Sequence, residues 1–224
     1  MRPSVPWLLL GSLPALPDLD RVRALPLSEE SFGHRLAWLD GSDAAVLAAA
    51  EEAVGPDDSG SATGDAKAMA RFERFRARAQ PGPLRDVVTR EWERRCILAA
   101  IRAHRSGLAQ PGAGWCPAPW GEHLCRHWND ASFGFGVRLP GLADARARLE
   151  SGEASLLHRA MRRRLWNDLA ALRLRAGFSF DSVVAYRLQW RLLAERLRED
   201  AAAARARLDE CTRGAAGSAD LSHA

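Results

Sequence analysis

The segment "CPAPWGEHLCRHW" gathers Cys116, His123, Cys125 and His127, all ligand types that zinc accepts. Their order argues against a metal centre. His123, Cys125 and His127 alternate as ligands on a strand would, whereas the surrounding pattern is helical, and ligands on one helix face sit three or four residues apart. His123 and His127 share a face at that spacing, and Cys125 then points elsewhere. The expectation is an aromatic packing segment with no metal cofactor. A zinc site built on 116–127 is the weaker alternative. The chain has no phosphate-binding Walker loop, no dinucleotide glycine fingerprint and no serine nucleophile elbow. Its carboxylates stand mainly beside arginines at helical spacing, so no acid–base dyad stands out, and the chain is expected to be neither an enzyme nor a cofactor carrier.

Arginine supplies the other candidate chemistry. Lys67 is the only lysine in the chain, so nearly all of the basic charge has a planar, bidentate donor. In "FSFDSVVAYRLQWRLLAERLRED", Arg187, Arg191 and Arg198 fall on one strip between two apolar faces, and they form a candidate partner contact. One helix earlier, Arg164 and Asp168 lie four residues apart beside an apolar stripe. They read as a local ion pair or as a polar patch facing a lumen or partner. Arg159, Arg162, Arg163 and Arg173 with Trp166 come nearest to a nucleic-acid surface. That reading, a small basic nucleic-acid-binding protein, is an alternative without a recognised motif around it.

These side chains need a scaffold, and the composition allows one. The chain has 224 residues, 47% hydrophobic and 27% charged, which suits a globular protein with a real core. A formal charge of +4 is mildly basic, and most arginines alternate with acids. "WLLL" near the start is far short of a membrane span or a secretory apolar region. Four scattered cysteines do not form a disulfide framework, so the expected location is the cytoplasm.

The pattern along the chain is all-α, a helical bundle with one short strand allowed at Trp7–Leu10. Residues 1–54 read as an N-terminal segment with two short helices: one over Glu29–Leu39 capped by Ser28, and one capped by Ser42 or Asp43 and running to Val54. Residues 55–65 ("GPDDSGSATGD") read as a flexible linker, 66–212 as the bundle and 213–224 as a disordered tail. Within the bundle, helices are expected over about 66–79, 84–104, 142–150, 153–175 and 181–211, with a short one at "GEHLCRHW". Leu157, Met161, Leu165, Leu169 and Leu172 make one buried stripe. In the last helix Val183, Tyr186, Trp190, Leu193 and Leu197 make another, with Val184, Leu188 and Leu192 roughly opposite. A helix apolar on two sides lies between neighbours.

Three stretches together resemble a known group. They are "WLLLGSLPALPDLD…LPLSEESF", "HWNDASFGFGVRLPGLADARARLESGE" and "LWNDL…FSFDSVVAYRLQWRLLAERLREDAAAARARLDE", the last being the most specific through Trp166, Phe180, Ala185, Tyr186, Leu188 and Leu193. The pattern is similar to an uncharacterised family of helical bacterial proteins encoded with V/A-type ATPases. That family is thought to be related to the funnel-like C-type component of those enzymes (d-type in eukaryotes), which sits on the rotor ring and seats the central shaft. The resemblance implies a non-catalytic rotor part. Its partners would be the central shaft subunits and the membrane rotor ring. It would sit peripherally at the inner membrane through them and help couple shaft rotation to ion transport, or assist assembly. This chain is much shorter than that funnel-like component and shows no three-part repeat.

Overall fold

The computed structural model of the chain describes residues 5–55, 62–110, 115–116, 120–130, 132–135 and 142–220, with the backbone alone at 5, 62–65, 142–143 and 206–220. Nine helices and no strand occur among the described residues: α1 Val5–Ser12, α2 Glu29–Leu36, α3 Gly41–Val54, α4 Ala62–Arg78, α5 Pro83–Arg105, α6 Trp120–Arg126, α7 Leu142–Glu150, α8 Ala154–Ala176 and α9 Phe180–Asp220. The protein is all-α.

The helix ends follow local chemistry. Ser28 caps α2, accepting from the Ser31 N–H at 3.2 Å. Asp40, rather than Ser42 or Asp43, caps α3, accepting from the Asp43 N–H at 2.8 Å. Helix α2 stops at Leu36, three residues before the expected end, because the chain tightens there: Trp38 and Leu39 donate to carbonyls three residues back. Pro83 opens α5 where its missing N–H costs nothing. Gly82 offers that helix no capping side chain, and Asp181 of α9 supplies one, accepting from the Leu84 N–H at 3.3 Å. Burial pushes the Asp181 carboxyl above its ordinary pKa, while that N–H pulls the other way.

Three sequence expectations need correction. Trp7–Leu10 is helical, not a strand. No sheet edge is present among the described residues to pair with it, and a lone strand would leave its backbone groups unsatisfied, whereas a helix bonds them internally. The 55–65 segment is helical from Ala62 onward, and residues 56–61 lie outside the described residues. Helix α9 continues to Asp220, through most of the expected disordered tail. Extending a helix already nucleated by packing adds one bond per residue, and an alanine-rich sequence without proline favours it. Residues 221–224 lie outside the described residues.

Helix α9 is the axis of the core and packs against α1, α3, α5 and α8. Val183, Val184, Leu188, Leu192 and Leu193 are all buried, so both of its apolar faces are covered. Only the second half projects, with residues 196–205 intermediate to exposed. On α8, Leu157, Leu165, Leu169 and Leu172 are buried and Met161 is partly so. The N-terminal segment is not a separate unit, since Leu9, Leu19, Val22 and Leu39 join the same core.

Candidate functional site: the arginine strip of α9

Three side chains of α9 clasp the N-terminal segment. The Tyr186 hydroxyl donates to the Pro14 carbonyl at 2.8 Å, and the Trp190 indole N–H donates to the Leu27 carbonyl at 3.0 Å. Phe32 of α2 stands edge-on to both rings, with centroids 5.6 Å from each. Arg187 completes the clasp. Its Nε donates to Glu51 of α3 at 2.6 Å and its Nη2 to Glu29 of α2 at 2.5 Å. The guanidinium carbon lies 5.0 Å from the Phe32 centroid and 4.9 Å from that of Trp190. Arg187 is 8% exposed, and its Nη1 is buried with no hydrogen-bond partner among the described residues. Burial works to lower its pKa; the Glu29 and Glu51 carboxylates outweigh burial and raise it, so the charge persists.

The strip therefore divides by role. Arg187 is structural, which corrects the expectation that it faces a partner. Arg191 is half-buried, and its Nη1 donates to the Glu51 carbonyl at 3.1 Å. Arg198, one turn beyond the packed region, is exposed. Arg191 and Arg198 form a ridge between two troughs. One, of about 640 Å³, is walled by α2, α3 and α9 through Glu29, Glu51 and Leu197; the other, of about 510 Å³, lies among α5, α8 and α9.

The Arg164–Asp168 pair does not form as expected. Arg164 is exposed, and Asp168 instead meets Arg94 of α5, which also reaches Glu91 at 3.1 Å. Neighbouring Arg95 bonds Glu91 at 3.2 Å and donates to the Val54 and Gly55 carbonyls at 2.6 and 2.8 Å. It thereby satisfies the open carbonyl end of α3 and complements its negative pole. Sequence reasoning missed this cross-helix network. The only local signal was the i, i+3 and i, i+4 spacing of Glu91 with Arg94 and Arg95.

The basic run of α8 is occupied internally. Arg162 Nη2 donates to Glu195 at 2.7 Å. Its Nη1 lies 2.7 Å from the Glu199 carboxylate but outside hydrogen-bonding direction, so that contact is an ion pair only. Arg163 grips Asp18 at 3.0 Å with both nitrogens and also meets Asp20, holding the N-terminal segment from its other side. The Arg163 hydrogen bonds pull the Asp18 carboxyl down to about 2. Trp166 is buried, and Arg173 lies 5.0 Å over the Tyr186 ring while bonding Gln189 at 2.9 Å.

Trp120, His123, His127 and Phe135 form an aromatic knot. His123 of α6 and His127, in the turn just past its end, lie on the same side with ring centroids 4.6 Å apart. His123 Nε2 contacts the Phe133 carbonyl at 2.9 Å, and His127 Nδ1 meets Asp130 at 2.7 Å. Gly134 has φ +69°, and a Cβ there would come within 2.6 Å of the His127 ring, so glycine is required on two counts. No group of three or more His, Cys, Asp or Glu side chains able to hold a metal occurs among the described residues.

The exposed Arg198 guanidinium offers the α9 surface a planar set of donors that suits a carboxylate or phosphate. Glu91, Glu195 and Glu199 are each held by an arginine, which leaves them ill-suited to general acid–base work. No helix among the described residues is long and apolar enough to cross a membrane. Comparison with protein-family models, curated proteins and solved structures finds no match to this chain.

Tyr186 offers a direct check on the clasp, because it is the only tyrosine in the chain. Burial pushes its phenol up to about 12, against smaller opposing effects of Arg173 and Arg35. The folded protein holds this proton where the unfolded chain, with an ordinary value of about 10, has lost it. The contribution to stability is full below the unfolded value and is lost as pH rises through the folded one. Tyrosinate absorbance should therefore rise in one step near pH 12 in native protein and near pH 10 in denaturant. A native midpoint near 10 would place Tyr186 in water.

Proposed function

We propose that this chain is a non-catalytic, rotor-associated part of a V/A-type ATPase that couples the central shaft to the membrane rotor ring or assists its assembly. The observation that carries the reading is the meeting of the first and third stretches of the resemblance. Pro14, Leu27 and Glu29 of the first receive hydrogen bonds from Tyr186, Trp190 and Arg187 of the third. Positions that pattern with the ATPase-associated family are thus the ones that fix the N-terminal segment onto the central helix. Phe180, Ala185, Leu188 and Leu193 pack instead into the main core, beside the smaller Phe32–Tyr186–Trp190–Ala194 cluster. A coupling part needs such a rigid helical core and a charged face that binds without burying a large apolar area. Arg198 offers that face, with Arg191 beside it.

The nucleic-acid alternative loses its main support, since Arg162, Arg163 and Arg173 are engaged by Glu195, Asp18 and Gln189 and cannot present a free basic face. The test is capture. Immobilised chain is exposed to detergent-solubilised bacterial membranes containing a V/A-type ATPase, and shaft and ring proteins should be retained at low salt and reduced at high salt. Retention of single-stranded nucleic acid with no ATPase component at any salt would reverse the reading.

A further inference from the structure

Helix α1 lacks a polar side. Its sequence, "VPWLLLGS", has no polar side chain before Ser12. A surface helix turns an apolar stripe to the core and polar residues to water. Here Leu9 is fully buried, and its neighbours Trp7 and Leu8 are both more than half exposed. Trp7 has an aromatic companion. Phe178, in the turn between α8 and α9, is also more than half exposed, and its ring centroid lies 4.9 Å from that of Trp7. Gly177 sets that ring outward: with φ +55° it ends α8, donating to the Arg173 carbonyl at 3.1 Å, and Phe178 follows it off the helix. Leu174, one turn before Phe178 on α8, is 87% exposed. An exposed apolar surface of this kind, made of the side chains that fill cores elsewhere in the chain, marks a contact site.

The charge around these residues has one sign. No Asp or Glu occurs in residues 1–17 or 169–180. Arg175, between Leu174 and Phe178 in sequence, is exposed, and its Nε donates only to the Ala171 carbonyl of its own helix. The first acids beyond the two segments are turned away. Asp181 accepts from the Leu84 N–H, and Asp18 is gripped by Arg163. The opening turn of α5, tied to α9 by Asp181, brings one charge of each sign, Arg85 and Asp86.

Area and chemistry select the occupant. With roughly 100 Å² exposed on each, the four side chains present about 400 Å² of apolar surface. A stable protein–protein interface takes about 800 Å² from each partner, so a second copy of this chain or another folded protein would find only half of that here. A lipid interface requires no matched surface. Tryptophan is enriched at headgroup depth, leucine and phenylalanine enter the acyl boundary, and an arginine with a flexible stem reaches the phosphates. The absence of carboxylates favours anionic headgroups over zwitterionic ones.

We propose that Trp7, Leu8, Leu174 and Phe178 form a membrane-surface anchor that dips into an anionic lipid interface, with Arg175 against the headgroup phosphates. The anchor is peripheral and spans nothing. The inference goes beyond the rotor reading and does not rest on it, since the recognised surface is lipid and not a rotor protein.

The test floats the full chain with vesicles of phosphatidylcholine, with and without about one third phosphatidylglycerol. Binding to the anionic vesicles should be reversible and half complete at about 0.1 mM accessible lipid, comparable with a single acyl anchor. It should be about five-fold weaker on phosphatidylcholine alone, the contribution of one arginine near the surface. The double variant W7S/F178S should lose about ten-fold or more in binding. L174E should lose a similar amount with its melting temperature unchanged, because that side chain is exposed and supports no packing. R175E should remove most of the preference for anionic vesicles. No flotation at about 1 mM lipid, full flotation of both W7S/F178S and L174E, or a wild-type dimer that W7S/F178S dissolves without any vesicle binding would each overturn the proposal, the last in favour of a second copy as the occupant. Vesicles of pure lipid contain no rotor, so this proposal and capture of rotor proteins fail separately.

Discussion

Arg187→Ala should lower stability by about 3 kcal/mol, the largest loss expected from removing any single charge in this chain. Three consequences add. Glu51, whose side chain is only 20% exposed, keeps its charge with only the weaker Arg191 contact at 3.7 Å. The stacked space between Phe32 and Trp190 empties. The hydrogen-bonded tie from α9 to α2 is cut. Glu29 adds little to the sum, because it is 63% exposed and rehydrates when released. Arg187→Lys keeps the charge but not the fork, and a point charge cannot reach Glu29 and Glu51 at once while lying flat against two rings. It should recover less than half of the loss. Denaturant unfolding of the two variants decides this. A loss below about 1 kcal/mol for Arg187→Ala would mean the clasp is held by the aromatic rings alone. The arginine best aligned with the strip is accordingly the wrong one to reverse in a binding assay, since a change in capture would report unfolding.

Trp190→Ala should cost about 3–5 kcal/mol. Its ring is among the largest fully buried side chains, packed with Phe32, Tyr186 and Ala194. Its loss opens a cavity that the rigid α9 backbone cannot collapse into. The change also strips the Leu27 carbonyl of its donor. Trp190→Phe separates the two effects: it refills most of the volume and leaves the carbonyl unbonded, so a residual loss of about 1–2 kcal/mol is expected. If both variants lost the same amount, the hydrogen bond rather than packing would dominate. If neither lost more than about 1 kcal/mol, the N-terminal segment would not be anchored at this point.

The contrast between these residues shows what the sequence could reveal. The two apolar faces of α9 were legible because period 3.6 is a local property: Val184 and Leu188 announce their face to each other without help from the rest of the chain. The fate of Arg187 was not legible. The carboxylates that claim it lie 136 and 158 residues away in sequence. At the level of pattern, a buried, clasped arginine and an exposed one look the same. Asp168 failed for the same reason. Its spacing to Arg164 was correct for a local pair, but Arg94 on a packed neighbour competed more effectively from a partly buried position. The Trp7–Leu10 strand failed on a missing partner, since a short apolar run is read correctly only when the presence or absence of a sheet is known. Asp181 capping α5 shows a further limit, because Gly82 signals an uncapped helix and the cap arrives from 97 residues away. The candidate contact surface was half legible: the arginine type and the ridge followed from α9, while the trough beside it required α5 and α8 in place.

Binding of the purified rotor assembly, shaft plus ring, to the wild-type chain tests the central claim most directly. Saturable binding is expected at about micromolar Kd or tighter at low salt. Raising the salt should weaken it, and Arg198→Glu should reduce it about ten-fold mainly through a slower association, with the melting temperature unchanged. No binding of the rotor at any salt, by a chain whose tyrosinate step near pH 12 shows the clasp to be intact, would contradict the rotor reading.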